Sequence, residues 1–341
     1  MMKNIYKNIS LIAKSHGSTN IATSLRALAA IGVLSVHFEW FGLYQHLRGE
    51  DILQRLLKGV LDLAAQGPTT FYLASGYVLQ LTYKKYKNLG AFMLQRYFRL
   101  MPLYLAVNSY CYLASERDLS LLSVELILKK LFFLDLFFTD ASIFSPLNIS
   151  HFVVIEFWLS ILIFFTHKLQ YRSNLVSVYV IIISFTISYL AQKVSRVIES
   201  EIDLSFFYFQ FFFVFGAAMA AKRHIFSLNK LISLNLFILC FLFAILVQNY
   251  VGYMSFVMSA VVLANSKPLN NTILTNIFMR VTGNICYSIF LLHIPVKNFT
   301  EYLEFQETIL TVPFIFFLST ISFFLIEVPF TKIGKKVTKS L

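Results

Sequence analysis

Apolar stretches of about 20 residues, separated by short polar or basic segments, recur along the whole chain. A helix of about 20 apolar residues crosses the hydrocarbon core of a bilayer. None of the stretches shows the alternating polarity of a barrel strand. The pattern predicts an all-α polytopic membrane protein with about ten transmembrane helices, at about 22–43, 59–82, 100–115, 149–167, 174–192, 204–221, 231–248, 250–264, 281–298 and 308–328. Residues 121–138 are also apolar but hold Glu125, Lys129, Lys130 and Asp135. Four charges are costly in a spanning helix, so this stretch reads as an interfacial or re-entrant helix. The chain, 1–341, reads as a single integral membrane domain with a polar N-terminal segment (1–21) and a basic tail (329–341).

The first run departs from a plain span. It reads ATSLRALAAIGVLSVHFEWFGL and carries Arg26, His37 and Glu39. Arg26 and His37 are eleven residues apart, close to three helical turns, so both project from nearly one face, roughly 16 Å apart along the axis. Ionisable side chains at membrane depth rarely face lipid. The pair is expected to point inward, and Ala27, Ala29, Ala30 and Gly32 let neighbouring helices come close.

Charge then orients the spans. With the N-terminus in the cytoplasm, the inner segments 1–26, 84–99, 168–173, 222–230, 265–280 and 329–341 hold 20 of the 29 Lys and Arg and none of the 17 acids. Lys and Arg concentrate on the cytoplasmic side, so both termini are expected there. The net charge of +12 follows from the same bias and implies no nucleic-acid partner in a chain that is 57% hydrophobic and 13% charged. Cys111, Cys240 and Cys286 lie in apolar runs without the spacing of a disulfide framework or a metal site.

Candidate chemistry sits on few residues. His37 is either a buried histidine bonded to a neighbouring helix or a general base, since a neutral imidazole takes a proton from a hydroxyl near neutral pH. Arg96 and Arg99, in RYFR, share a helix face. They are either topology charges or a phosphate grip, for which the guanidinium fork is well shaped. Glu156 lies inside a span, where a lone carboxylate needs a partner. Glu327 reads as an interfacial carboxylate at a helix end. His293, before Pro295, reads as structural, bonding carbonyls that the proline frees.

Five segments in order, LRALAAIGVLSVH (25–37), FYLASG (71–76), RYFRLMPLYL (96–105), YSIFLLHIPV (287–296) and IEVPF (326–330), together resemble the membrane acyltransferases of acyltransferase-3 type, typified by bacterial O-antigen acetylases. The family often shows a tryptophan where this chain has His151. The resemblance implies a multi-pass protein of the bacterial cytoplasmic membrane. It also implies transfer of an acyl group, usually acetyl, from acetyl-CoA to a hydroxyl of a surface or lipid-linked carbohydrate, with acyl-CoA, the glycan acceptor and the lipid bilayer as partners and no metal. By that resemblance His37 matches the essential histidine, Arg26 its paired arginine, Glu156 a site carboxylate, and Arg96 and Arg99 a cytoplasmic RxxR associated with the donor. A reading from another class is a non-catalytic transporter or flippase for a lipid-linked glycan, using the same inward polar residues as a pathway lining.

The charge bias makes a direct prediction. A membrane-impermeant label on a cysteine at position 87 or 335 is expected to react only after the membrane is opened. Labelling of Lys335→Cys from outside intact cells would mean an odd number of crossings and make 121–138 the first candidate for an extra span.

Overall fold

The computed structural model describes residues 20–38, 52–114, 124–134, 148–197, 205–222, 229–247, 253, 256, 258–260, 262, 276–302 and 308–339. Among these residues every element is helical and no strand occurs. In chain order they are α1 (Asn20–His37), α2 (Ile52–Ala64), α3 (Gly67–Tyr83), α4 (Leu89–Ala114), α5 (Val124–Leu131), α6 (Asn148–Arg172), α7 (Asn174–Val197), α8 (Ser205–Ala221), α9 (Lys230–Val247), α10 (Ile277–Tyr302), α11 (Thr308–Ser322), a π turn (Phe323–Glu327) and α12 (Val328–Lys339). Glu39, Asp135 and most of the expected span at 250–264 lie outside the described residues, as does the side chain of His151.

By length and composition, Asn174–Ala191, Ile277–Tyr302 and Leu310–Lys339 can each cross a membrane, and Ala22–His37, Phe152–His167, Phe206–Ala221 and Leu231–Leu246 are shorter apolar helices. α7 leaves Leu175, Val178, Tyr179, Ile182 and Ile183 exposed, and α9 leaves Leu231, Leu239 and Leu246 exposed. Continuous apolar surface on this scale belongs in lipid, not water. The protein is an all-helical membrane protein.

Three elements differ from the hydropathy reading. The expected span at 59–82 is two helices, α2 and α3, because Pro68 takes the first turn of α3. A proline is accommodated there, where its missing N–H has no helical partner to lose. The span expected at 100–115 starts earlier: α4 runs unbroken from Leu89 through Pro102 to Ala114 and takes RYFR into the same helix. The basic tail is helical too, since α12 continues α11 through the π turn and packs on α4, where Gln95 Nε2 donates to the Thr331 carbonyl at 3.2 Å. α5 has eight residues, about 12 Å of rise, far short of a crossing. A Glu125–Lys129 pair at 2.8 Å decorates it.

Backbone proximity holds the centre together. α3 packs most extensively on α8, and α1 on α10. Both crossings are made through glycine. A Cβ added at Gly76 would lie 2.0 Å from the Phe213 carbonyl oxygen, one at Gly216 2.1 Å from that of Leu73, and one at Gly283 1.9 Å from that of Thr23. On α1, Gly32 is likewise set against Ala64 of α2. In lipid, helices associate through such close packing and not through apolar burial alone. α1 is thereby clamped by α2, α3 and α10, which fixes where Arg26 and His37 point.

Gly283→Ala is therefore expected to destabilise the protein by about 1–3 kcal/mol, the usual scale of overpacking, read as a lower midpoint of thermal unfolding in detergent. Gly90→Ala, where the nearest atom to an added Cβ is the Asn88 side-chain oxygen at 3.5 Å, is the control that stays near wild type. Equal midpoints for both variants would contradict the close crossing.

Candidate active site

Arg26 leaves the clamped face of α1 toward α3. Its Nη2 donates to Ser75 Oγ at 3.1 Å. Its guanidinium carbon lies 5.6 Å from the centre of the Phe71 ring, within cation–π range. Phe71 is held by Phe152 of α6 and Phe290 of α10, with ring centres 4.5 and 5.0 Å away. Arg26 and Ser75 are both buried, and Arg26 Nε has no hydrogen-bond partner among the described residues. The FYLASG segment thus works residue by residue: Phe71 lies beneath the cation, Tyr72 donates to the Phe152 carbonyl at 3.1 Å, Ser75 accepts from Arg26, and Gly76 admits α8.

Arg96 and Arg99 share a face of α4 but not a fate. Arg96 Nη2 lies 2.7 Å from Glu156 Oε1, and the two side chains are 4% and 3% exposed. This is a buried, hydrogen-bonded ion pair between α4 and α6. Arg99 is half-buried and makes no hydrogen bond or ion pair among the described residues. Its charge nevertheless acts on both Glu156 and Glu327. Tyr86, in the turn before α4, is near both arginines. Burial pushes its phenol up, against the opposing pull of Arg96 and Arg99.

Glu327 is the main residue that sequence reasoning placed wrongly. It does not stand at a helix end, because α12 continues directly from it. The π turn carries it inward to 2% exposure, and Ser288 Oγ donates to its carboxyl in a short hydrogen bond. The π turns found inside α-helices often mark functional positions. Beside it, the Tyr287 hydroxyl donates to the Leu100 carbonyl of α4. The signal available was position: Ser75, Ser288 and Glu327 all fall within the five segments singled out above. Three guanidiniums (Arg26, Arg96, Arg99) and two carboxyls (Glu156, Glu327) thus interact at one end of the helix set.

His37 lies elsewhere. It ends α1 and is exposed, contrary to the expectation of a histidine deep in the protein. Its ring centre is 4.9 Å from that of His293, which is fully buried in α10. Lys297 Nζ, one turn further along α10, donates to the His37 carbonyl at 3.0 Å. His293 does bind backbone carbonyls, as expected. They are those of Ile289 and Phe290, however, not that of Leu291, which Pro295 leaves without its usual donor. The structure thus joins Arg26 to the Arg–Glu cluster and gives His37 a separate group of its own, with α1 linking them. A cavity of about 290 Å³ lined by Leu28, Ile31, Ser35 and Phe237 lies on the opposite face of α1. Its two hydroxyls, Ser35 and Thr70, donate to the Ile31 and Gln66 carbonyls, and the rest of its lining is apolar.

Breaking a buried pair strands a charge, at about 3–5 kcal/mol. Arg96→Leu and Glu156→Leu are each expected to lower unfolding free energy by that order in detergent. The double variant should lose less than either single change. A double variant as unstable as the sum of the singles would contradict the pairing.

An all-helical membrane fold with a buried arginine–carboxylate cluster toward one end of a helix and a histidine at the other has ionisable groups suited to group transfer. The acyltransferase-3 family model, an acyltransferase domain, matches residues 23–328, and the chain belongs to this family of acyltransferases. No curated protein and no solved structure matches it.

Proposed function

We propose that the protein transfers an acyl group, acetyl in the simplest case, from cytoplasmic acyl-CoA to a hydroxyl of a cell-surface or lipid-linked carbohydrate. It would do so in the bacterial cytoplasmic membrane, with about ten crossings and both termini inside. Family membership supports acyl transfer. The observation that carries the donor assignment is Arg99: a half-buried guanidinium with no ion-pair partner among the described residues, next to a cluster in which the positive charges outnumber the carboxyls. Such a group is suited to a phosphate, which matches the planar fork. Arg96 acts chiefly by holding Glu156 and thereby α4, and Arg26 faces the cluster from α1.

In this reading the phosphates of acyl-CoA stay with Arg99, beside Arg26, while the pantetheine arm runs along α1 toward His37, which lies roughly 16 Å from Arg26 by helical rise. His37 takes the proton of the acceptor hydroxyl as its oxygen attacks the thioester carbonyl. The C–S bond breaks, and the proton passes to the leaving thiolate. An acyl-histidine formed first and then transferred to the hydroxyl satisfies the same geometry.

The test in the cell is mass analysis of surface glycan with and without the gene. Loss of one acyl mass per repeat supports the enzyme. An unchanged mass with impaired glycan export supports a transporter. For the donor site, Arg99→Ala is expected to raise the apparent donor KM by roughly 10-fold or more, from the 1.5–3 kcal/mol of a charge-assisted hydrogen bond. Arg99→Lys should recover part of that loss. An unchanged KM in Arg99→Ala would move the donor site elsewhere, to Arg26 first.

A further inference from the structure

His293 carries more than a structural hydrogen bond. Its Nδ1 lies 3.1 Å from the Ile289 carbonyl oxygen and 2.9 Å from that of Phe290. Carbonyl oxygens only accept, so Nδ1 holds the proton. The other nitrogen of the neutral ring, Nε2, is then a bare acceptor. That atom is buried and has no hydrogen-bond partner among the described residues. Leaving a buried acceptor unpaired costs about 1–3 kcal/mol, so an unpaired one next to a reactive group calls for an explanation.

The ring beside it is that of His37, with a centre-to-centre distance of 4.9 Å and planes 54° apart. Residues 289, 293 and 297 lie one turn apart on one face of α10, and this face meets the end of α1. Lys297 pins the His37 carbonyl there at 3.0 Å. The backbone of His37 is thus fixed by α10, while its side chain sits at an exposed helix end, where rotation about its bonds is open.

We propose that His293 is a positioning residue for His37: its bare Nε2 accepts the N–H of the His37 ring. The bond closes when the exposed His37 ring turns toward His293; it then fixes one tautomer of His37 and leaves the other ring nitrogen unprotonated and ready to accept a proton. The logic is that of any base oriented by a third group. Here the orienting group is a second imidazole whose own tautomer is locked by the helix backbone. The proposal rests on the reading that His37 acts on the acceptor hydroxyl.

The test separates positioning from scaffolding. Asparagine at 293 keeps an amide donor where Nδ1 stands and has no acceptor where Nε2 stands. Glutamine can place its carbonyl oxygen near the position of Nε2. His293→Asn is expected to keep the thermal midpoint and the donor KM while kcat falls about 10- to 100-fold, the scale of losing an orienting partner. His293→Gln should recover part of the rate. Wild-type kcat in His293→Asn would overturn the proposal, as would equal loss in both variants with lowered midpoints. A second measurement is independent of turnover and of any substitution at 293. In protein labelled with 15N-histidine, the His293 Nε2 resonance should carry the shift of a hydrogen-bonded acceptor in the wild type and lose it in His37→Ala. Identical resonances would refute the contact. If His37→Ala proves fully active while the resonance still shifts, the pairing stands and the catalytic reading of His37 falls.

Discussion

A guanidinium and a carboxylate 2.7 Å apart, both shielded from solvent, tie α4 to α6 through Arg96 and Glu156. Neither charge is tolerable there alone, since desolvation costs several kcal/mol per ion and only the partner and added hydrogen bonds offset it. The pair therefore fixes the rotation of both helices. With Arg96 committed, the same face of α4 presents Arg99, whose donors have no hydrogen-bond partner among the described residues. One turn from the pair, α4 is held to α10 through the Leu100 carbonyl and Tyr287, and α10 in turn reaches Glu327 through Ser288. Loss of Glu156 would loosen the frame on which each of these contacts is built.

Glycine contacts do for α1 what the ion pair does for α4. Because Gly283 lets α10 touch the backbone at Thr23, and Gly67 of α3 sits 2.6 Å (measured to an added Cβ) from the Ala29 carbonyl, α1 cannot roll. One helix then serves two groups: Arg26 among the buried charges, and His37 against His293 and Lys297. In the proposed mechanism this separation of about three helical turns suits a donor whose phosphates and thioester are themselves far apart.

The spacing of Arg26 and His37 on one helix was legible from periodicity, and so was the need of Glu156 for a partner. Which partner was not: the choice of Arg96 over Arg26 or Arg99 depends on how α4 rotates against α6, a long-range packing outcome invisible to local pattern. Starting the third span at residue 100, after RYFR, followed from the rule that basic residues mark cytoplasmic segments. The helix accommodates them because Arg96 is neutralised across an interface. The burial of Glu327 was missed because it is set by a π turn, whose one-residue offset no periodicity reveals. Ser75 and Ser288 carry no hydropathy or charge signal, and they acquire a role only once Arg26 and Glu327 are placed beside them. The break at Pro68 was readable from turn chemistry and was masked by the apolar run around it.

The claim on which the account depends is that donor capture and proton transfer sit at opposite ends of α1. Its most direct test is a single-turnover measurement on purified His37→Ala protein, recording acetyl-CoA affinity and release of the free coenzyme A thiol with an acceptor glycan present. The account predicts wild-type affinity with thiol release abolished. Release at the wild-type rate, or loss of affinity in step with loss of release, would contradict it.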